Sequence, residues 1–540
     1  MGPLLACVLA PLLLAVACVA VPGLRAARWF ALAGSLLTLG VGGFALADFA
    51  MRPGADFRLL ESHAWSEAFG ASFRFGVDGI GAAMLALSGL ITAIATISAW
   101  SQERHPRAYH ALVLVLLAAM NGVFTSLDLL LFYVSWEMVL LPMLPLVGVF
   151  GGDQRRYAAM KFFVYTLAGS VLMLAMLLGL WNATPAAGRT VVVPHVVVTA
   201  HADAATSTLH GLPIDLSHDG PKLVLVPRGF DLRHLALQAP HFETTNLLGV
   251  SLAAFGFLAV LLACLVKIPA VPLHTWLPHA HVQAPTAVSV LLAGVLLKLG
   301  VYGLYRVGVP LFPQQAFAWA PTLGVVGLVG ILWGAWAALG QRDLKRLVAY
   351  SSVSHMGFCL LGLASGTVAG ATGGMVQAVT HGLSSGLLFL LVGVVYDRAH
   401  HREVAGFGGL AKPMPVFAWI LLLGALAGAG LPALAGFPGE FLVLAGAFTG
   451  RGAFPWLGGL ATLSVVLSAA YLLWTVKRVA YGPLQHAEHA TYRDLDGRER
   501  WALLPLVALL LAFGLWPAPI VDALRPACEL LVQTLQGGRP

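Results

Sequence analysis

Apolar runs long enough to cross a bilayer follow one another along almost the whole chain, separated by short polar connections. A transmembrane helix needs about 20 predominantly apolar residues. Windows of that kind fall at roughly 3–21, 29–48, 76–100, 109–126, 127–150, 161–182, 247–281, 286–309, 316–340, 347–365, 373–396, 415–449, 455–479 and 501–521. The pattern predicts an all-α polytopic membrane protein with about 14 transmembrane helices. The run 3–21 lacks the basic leader of a signal peptide and is expected to be the first span. Two windows, 247–281 and 415–449, are too long for one straight helix and carry prolines, in Lys267-Ile268-Pro269-Ala270-Val271-Pro272 and from Leu431-Pro432 to Phe437-Pro438-Gly439-Glu440. Proline removes a backbone donor, so both read as broken helices. Broken helices in matching parts of two halves point to two inverted repeats with an ion site at the midplane. The expected organisation is N-terminal helices over 1–108, repeats of about five helices over 109–309 and 316–479, and an inner loop with a last helix over 480–540.

Six ionisable residues interrupt these runs: Glu137, Lys267, Lys298, His355, His381 and Glu440. Lys298 lies thirteen residues after Pro285 and twelve before Pro310, near the middle of its span. Counting inward at about 1.5 Å per residue puts Glu137, His355 and His381 roughly 12 to 15 Å deep in a core about 30 Å thick. Ionisable groups at that depth are expected to be functional. An ammonium in a low-dielectric interior holds its proton less firmly, and a nearby carboxylate reverses this. Glu137 and Lys267 therefore make a candidate switch that releases a proton toward Lys298. Histidines relay protons in either direction near neutrality, and Glu440 would be the terminal acceptor. Ser351, Ser352, Ser354, Thr380, Ser384 and Ser385 share the histidine helices and could hold water. Blander roles exist for each residue: a helix-joining ion pair, satisfied core histidines, a cap at Glu440. Six such residues in one set favour a lateral proton path over the separate explanations.

The chain has 540 residues, 59% hydrophobic and 10% charged, against about 25% charged in soluble domains. Its formal charge of +7 comes from short loops rather than one basic face, which excludes a nucleic-acid surface and serves orientation instead. With the N-terminus outside, the inner loops hold 18 of the 31 Lys and Arg, the outer ones 11, and Lys267 and Lys298 lie in the membrane. The bias predicts both termini on the outer side. Cys7, Cys18, Cys264, Cys359 and Cys528 stand singly, without the spacing of a disulfide framework, zinc site or iron-sulfur cluster. The histidines of His274-Thr275-Trp276-Leu277-Pro278-His279-Ala280-His281 read as part of a turn near the inner face rather than metal ligands. Residues 183–245 form an outer segment with β-like runs at Val191-Val192-Val193, Val196-Val197-Val198 and Leu223-Val224-Leu225-Val226, which predict a small hairpin. Its His195, His201, His210, His218, His234 and His241 are expected to be solvated.

Over about 112–449 the chain resembles the antiporter-like membrane subunits of respiratory complex I, the proton-pumping NADH:quinone oxidoreductase. The resemblance rests on Phe132-Tyr133-Val134-Ser135-Trp136-Glu137-Met138, Lys161-Phe162-Phe163-Val164-Tyr165-Thr166, Val266-Lys267-Ile268-Pro269 through Trp276-Leu277-Pro278, Gln283-Ala284-Pro285-Thr286, Lys345-Arg346 through Ser354-His355-Met356-Gly357, and His381-Gly382-Leu383-Ser384. Glu440, where related chains usually carry lysine, points to the M-type branch, the counterpart of mitochondrial subunit 4. So does the tail of only about 19 residues after the last span. The resemblance implies a proton-translocating subunit whose Glu137, Lys267, Lys298 and Glu440 carry protons, with His355 and His381 on the connecting path. It implies no cofactor in this chain, with NADH, FMN, iron-sulfur clusters and quinone in partner subunits. The expected partners are other membrane subunits, including neighbouring antiporter-like chains, with the peripheral redox arm reached indirectly and no nucleic acid. The expected location is the inner, energy-transducing membrane. Subunits of multi-subunit cation/proton antiporters and of membrane-bound hydrogenases share these motifs and are the alternatives. The family commonly has an aspartate where this chain has His279, and 183–245 looks longer than usual.

Overall fold

Stretches of Leu, Ala, Val and Gly leave a backbone in apolar surroundings little choice but the helix, which satisfies its own N–H and C=O groups. The computed structural model describes every residue except 1, 22, 194–201, 204–207, 215–221, 248 and 539–540. Among the described residues eleven helices are long and apolar enough to span a membrane, from Pro3–Ala20 to Phe454–Ala480. Gly497–Leu515 meets that standard only together with Ala518–Gly537, which is bent 72° away from it. The two interrupted segments are present as Leu252–Lys267 followed by Trp276–Gln283, and Pro415–Gly428 followed by Gly436–Phe448. By length and composition the described residues give eleven spans, or twelve with the bent pair, against the expected count of about fourteen.

The helices carrying the ionisable residues are the most enclosed. The most apolar stretches of Thr286–Leu311 and Val368–Ala399 are wholly buried and that of Leu344–Ala364 nearly so, whereas Arg155–Ala183 and Phe454–Ala480 turn most of their surface outward. Pro278 and Pro438 each stand third in their short helices, where the missing N–H has no intrahelical partner to lose. For that reason His274 to His281 form a 3₁₀ turn and then a helix rather than the expected open turn.

The starts of two central helices are strapped in the same way. Asp128 caps Leu129–Met138 through the N–H groups of Leu130 and Leu131, and Leu129 N and Leu127 O pair with Phe230 O and Leu232 N at 2.7 and 2.8 Å. Asp343 caps Leu344–Ala364, and Leu344 N and Arg342 O pair with Arg402 O and Val404 N at 3.0 and 2.8 Å. One strap lies in the segment expected outside, the other among loops expected inside.

Segment 183–245 pairs Arg189–Val193 antiparallel to Lys222–Val226 with Val191 opposite Val224, but the two strands have 28 residues, 194–221, between them in the chain and are not the expected hairpin; Val196-Val197-Val198, like His195, His201 and His218, lies outside the described residues. His234 is not solvated, being largely enclosed with its Nε2 3.1 Å from the His210 carbonyl. A hairpin, Arg58–Ser66 with Ala71–Val77, was not expected. The short tail after the last span is corrected as well. It is a 20-residue helix, Ala518–Gly537. Its buried Ile520, Ala523, Leu524, Ala527, Cys528, Leu531, Val532 and Leu535 recur at helical spacing, and its polar other face hides it from a search for uniformly apolar runs.

Candidate functional site

Lys298 lies fully buried on a helix whose regular hydrogen bonding is interrupted twice, by π-helical turns at Leu292–Leu296 and Leu304–Gly308. Such turns are rare and favour functional positions. The Lys298 ammonium donates to the Ala293 carbonyl and, at 2.7 Å, to Nδ1 of His381 on Val368–Ala399. An ammonium has only donors, so Nδ1 must be the acceptor and the His381 proton sits on Nε2. Nε2 is buried without a partner. The ring of His355, from Leu344–Ala364, stands 5.2 Å from that of His381, centre to centre. Beyond it, His355 Nδ1 lies 3.2 Å from Glu440 Oε1. Gln377 Nε2 reaches both, at 3.0 Å to His355 Nδ1 and 3.3 Å to Glu440 Oε1, while Gln377 Oε1 is buried and unpartnered. Four of the six expected residues thus form one continuous cluster.

Glu440 is the fifth residue of its half-helix and turns toward Gln377 rather than capping the backbone. The break before it is shaped around it. Gly430 has a φ of +71°, and a Cβ there would collide with the Glu440 carboxylate.

The other two residues meet differently. Lys267 ends Leu252–Lys267, donates at 3.1 Å to the Trp136 carbonyl and lies 3.8 Å over the Trp136 ring. Glu137, one residue on, has a buried Oε1 without a partner and no ion pair within 4.0 Å among the described residues. Lys267 interacts with it electrostatically, but the ammonium is taken by the carbonyl and ring of Trp136 rather than by the carboxylate. No hydrogen bond among the described residues joins Lys267 to Lys298, although their helices touch: a Cβ at Gly300 would lie 2.7 Å from the Cys264 carbonyl oxygen.

The expected water-holding hydroxyls mostly bond to backbone. Ser351 and Ser352 donate to the Val348 carbonyl, Ser354 to that of Ile331, Ser384 and Ser385 to that of His381, and Thr380 to that of Gln377. Their lone pairs remain free to accept.

Two participants were not expected. Gln377 is uncharged, and the signal that could have found it is its place four residues before His381 on the same helix face. His281 is fully buried, neither ring nitrogen has a partner, and the ring stacks on Phe389 at 4.4 Å. It interacts with both Lys298 and Lys345. Lys345, itself buried, donates at 2.7 Å to the Ala284 carbonyl. Lys345 lines a polar cavity of about 490 Å³ with Asp397, Arg402, Arg498 and Glu499, and the wall includes Val282 and Leu390, the chain neighbours of His281 and Phe389. The His274, His279 and His281 rings have separate neighbours, Tyr350, the Thr275 carbonyl and Phe389.

Residues 126–214 and 228–468 match the family described as NADH:quinone oxidoreductase/Mrp antiporter, transmembrane. The NADH-quinone oxidoreductase subunit M of Rhodobacter capsulatus is 39% identical over 510 residues, covering 94% of this chain and 91% of that protein. The chain belongs to the antiporter-like subunits of complex I, M type. Subunit M of the F(420)H(2) dehydrogenase of Methanosarcina mazei is also similar, 34% identical over 98% of each chain. Among solved structures, a chain of respiratory complex I from Thermus thermophilus with bound NADH superimposes with a TM-score of 0.81 at 29% identity, covering 98% of this chain and 99% of that one. An antiporter-like subunit works as a multi-pass membrane component beside other membrane subunits, and the fold described above fits that setting.

Proposed function

We propose that this chain is a proton-translocating subunit of a NADH:quinone oxidoreductase, moving protons along Glu137, Lys267, Lys298, His381, His355 and Glu440 under the drive of redox chemistry in other subunits. The observation that carries the reading is the contact from the Lys298 ammonium through His381 and His355 to Glu440. Lys298 passes a proton to His381 Nδ1, and the resulting imidazolium releases the one on Nε2 toward His355. A proton arriving on His355 Nδ1 turns that nitrogen from acceptor to donor, exchanging the Gln377 amide for the Glu440 carboxylate 3.2 Å away. Glu137 and Lys267, with Trp136 holding the ammonium, form the end that responds to a neighbour's charge. When they approach, the Lys267 proton is held; when they part, it moves toward Lys298.

Protons reach Lys298 from the cavity beside Lys345, through His281. The basic loops assign that face to the inside, with both termini on the outer side of an energy-transducing membrane. NADH, FMN, iron-sulfur clusters and quinone belong to partner subunits. A second reading keeps the same path and changes the electron donor, and the full-length likeness to a subunit of an F(420)H(2) dehydrogenase favours it. The test is Lys298→Ala in the assembled complex, expected to abolish most NADH-driven acidification of vesicles. Undiminished pumping would refute the path.

A further inference from the structure

The polar cavity holds a carboxylate with no partner. Asp397 stands exposed at its mouth, near the end of Val368–Ala399, and no hydrogen bond or ion pair among the described residues engages it. The charged groups around it are committed elsewhere. Arg398 grips both oxygens of Glu499 at 2.9 and 2.8 Å. Arg402 binds Asp343 at 3.1 Å and the Val282 carbonyl at 2.9 Å. Arg498 donates to Ser101 at 2.7 Å. The buried Lys345 ammonium, also in the lining, is fixed to the Ala284 carbonyl and interacts electrostatically with the buried His281 ring. At about 30 Å³ per molecule, a cavity of about 490 Å³ has room for on the order of ten water molecules.

We propose that Asp397 is the proton-collecting carboxylate of this entrance, a role that rests on the proton path above. An ionised Asp397 oxygen takes a proton from hydronium or a buffer acid of the inner solution, forming an O–H bond. It then yields that proton to the cavity waters, which carry it to the region of Lys345 and His281. The need for a collector follows from supply. Capture at the diffusion limit, on the order of 10¹⁰ M⁻¹ s⁻¹, delivers about 100 protons per second at pH 8, within the usual range of enzyme turnover. A negative group at a cavity mouth raises local proton concentration and relieves that limit. Lys345, Arg398, Arg498 and Glu499 act on Asp397 electrostatically, and Arg402 and Asp153 share the rim.

The experiment compares Asp397→Asn, Asp397→Glu and Lys298→Met complexes, assembly being checked by native electrophoresis, in vesicles with the inner face outward. NADH-driven pumping is followed from pH 6 to 8.5 in weak and in concentrated imidazole. For Asp397→Asn the expectation is pumping within about 1.5-fold of wild type at pH 6 and a loss of about three- to tenfold at pH 8 in weak buffer. Concentrated imidazole or the Asp397→Glu variant should restore it. Wild-type behaviour of Asp397→Asn at every pH overturns the proposal, as does a loss equal at all pH values and insensitive to buffer. Lys298→Met separates the two readings: if it pumps normally, the path itself fails, whereas a dead Lys298→Met beside a normal Asp397→Asn removes only the collector.

Discussion

Gln377→Leu sets folding and function against each other. Gln377 is almost fully buried, and its amide donates to His355 Nδ1 and Glu440 Oε1 while its own Oε1 has no partner. Leucine keeps similar volume and removes the unsatisfied oxygen, a gain of about 1–3 kcal/mol that offsets the loss of the amide's two hydrogen bonds, so the stability of the helix bundle should change little. The Glu440 carboxylate, however, loses one of two neighbours that stabilise its charge. A hydrogen bond to a charged group contributes about 1.5–3 kcal/mol, which at about 1.4 kcal/mol per factor of ten slows proton release from Glu440 roughly 10- to 100-fold. The assay is acidification of proteoliposomes per NADH oxidised, alongside thermal unfolding of the purified complex. The expected result is unchanged melting with at least a tenfold loss of pumping. Pumping within twofold of wild type would refute the assignment of Gln377 to the Glu440 end of the path; equal losses of stability and pumping would mean that the residue only packs.

Other outcomes follow from the same geometry. Lys298→Ala should leave less than a tenth of wild-type pumping, read as vesicle acidification, because among the described residues no other donor meets His381 Nδ1. Gly430→Ala places a side chain at φ +71° against the Glu440 carboxylate; about 1–3 kcal/mol of strain is expected, visible as a lower melting temperature, with pumping reduced several-fold. In the strap at Phe230–Leu232, burial pushes the Asp231 carboxyl upward, but His234, Arg233 and Arg74 together hold it well below the usual carboxylate range. Because the unfolded value is about 3.9, its contribution is whole above that pH and is lost as pH falls further. Hydrogen exchange in 228–245 should therefore stay protected at pH 6 and accelerate on acidification below about pH 4, and Asp231→Ala should open the strap already at pH 7, by about 3–5 kcal/mol.

What the sequence shows of this molecule depends on the range of the physics involved. Spans are local: about 20 apolar residues suffice, and they placed the helices carrying all six ionisable residues. The breaks at Pro269 and Pro432 are local too. The contact between Lys298 and His381 joins residues 83 apart, so a common depth could suggest a row but not its order. Gln377 lies in apolar sequence without a partner to mark it, His281 among histidines read as a turn, and only packing reveals that Gln377 bridges His355 to Glu440. Glu137 and Lys267 were expected as a pair, yet Trp136 takes the ammonium through its carbonyl and ring, an interaction no spacing encodes. The helix Ala518–Gly537 escaped because its single apolar face is legible only as a period, not as a run.

The π-helical turn before Lys298 has a consequence for how the chain tolerates change in length. A π turn holds one residue more than the α-helix around it. Deleting a single residue within Leu292–Leu296 would close that turn into regular helix without breaking the rod. The residues beyond it would keep their facing, because the residue lost and the wide turn lost cancel, each about 100°. Lys298 would still meet His381. Forcing the same residues into regular helix without a deletion would instead turn Lys298 about 100° off that face, though no charged group had been altered. The aim of the ammonium therefore rests on the wide turn that takes up the surplus residue, not on the residue count alone.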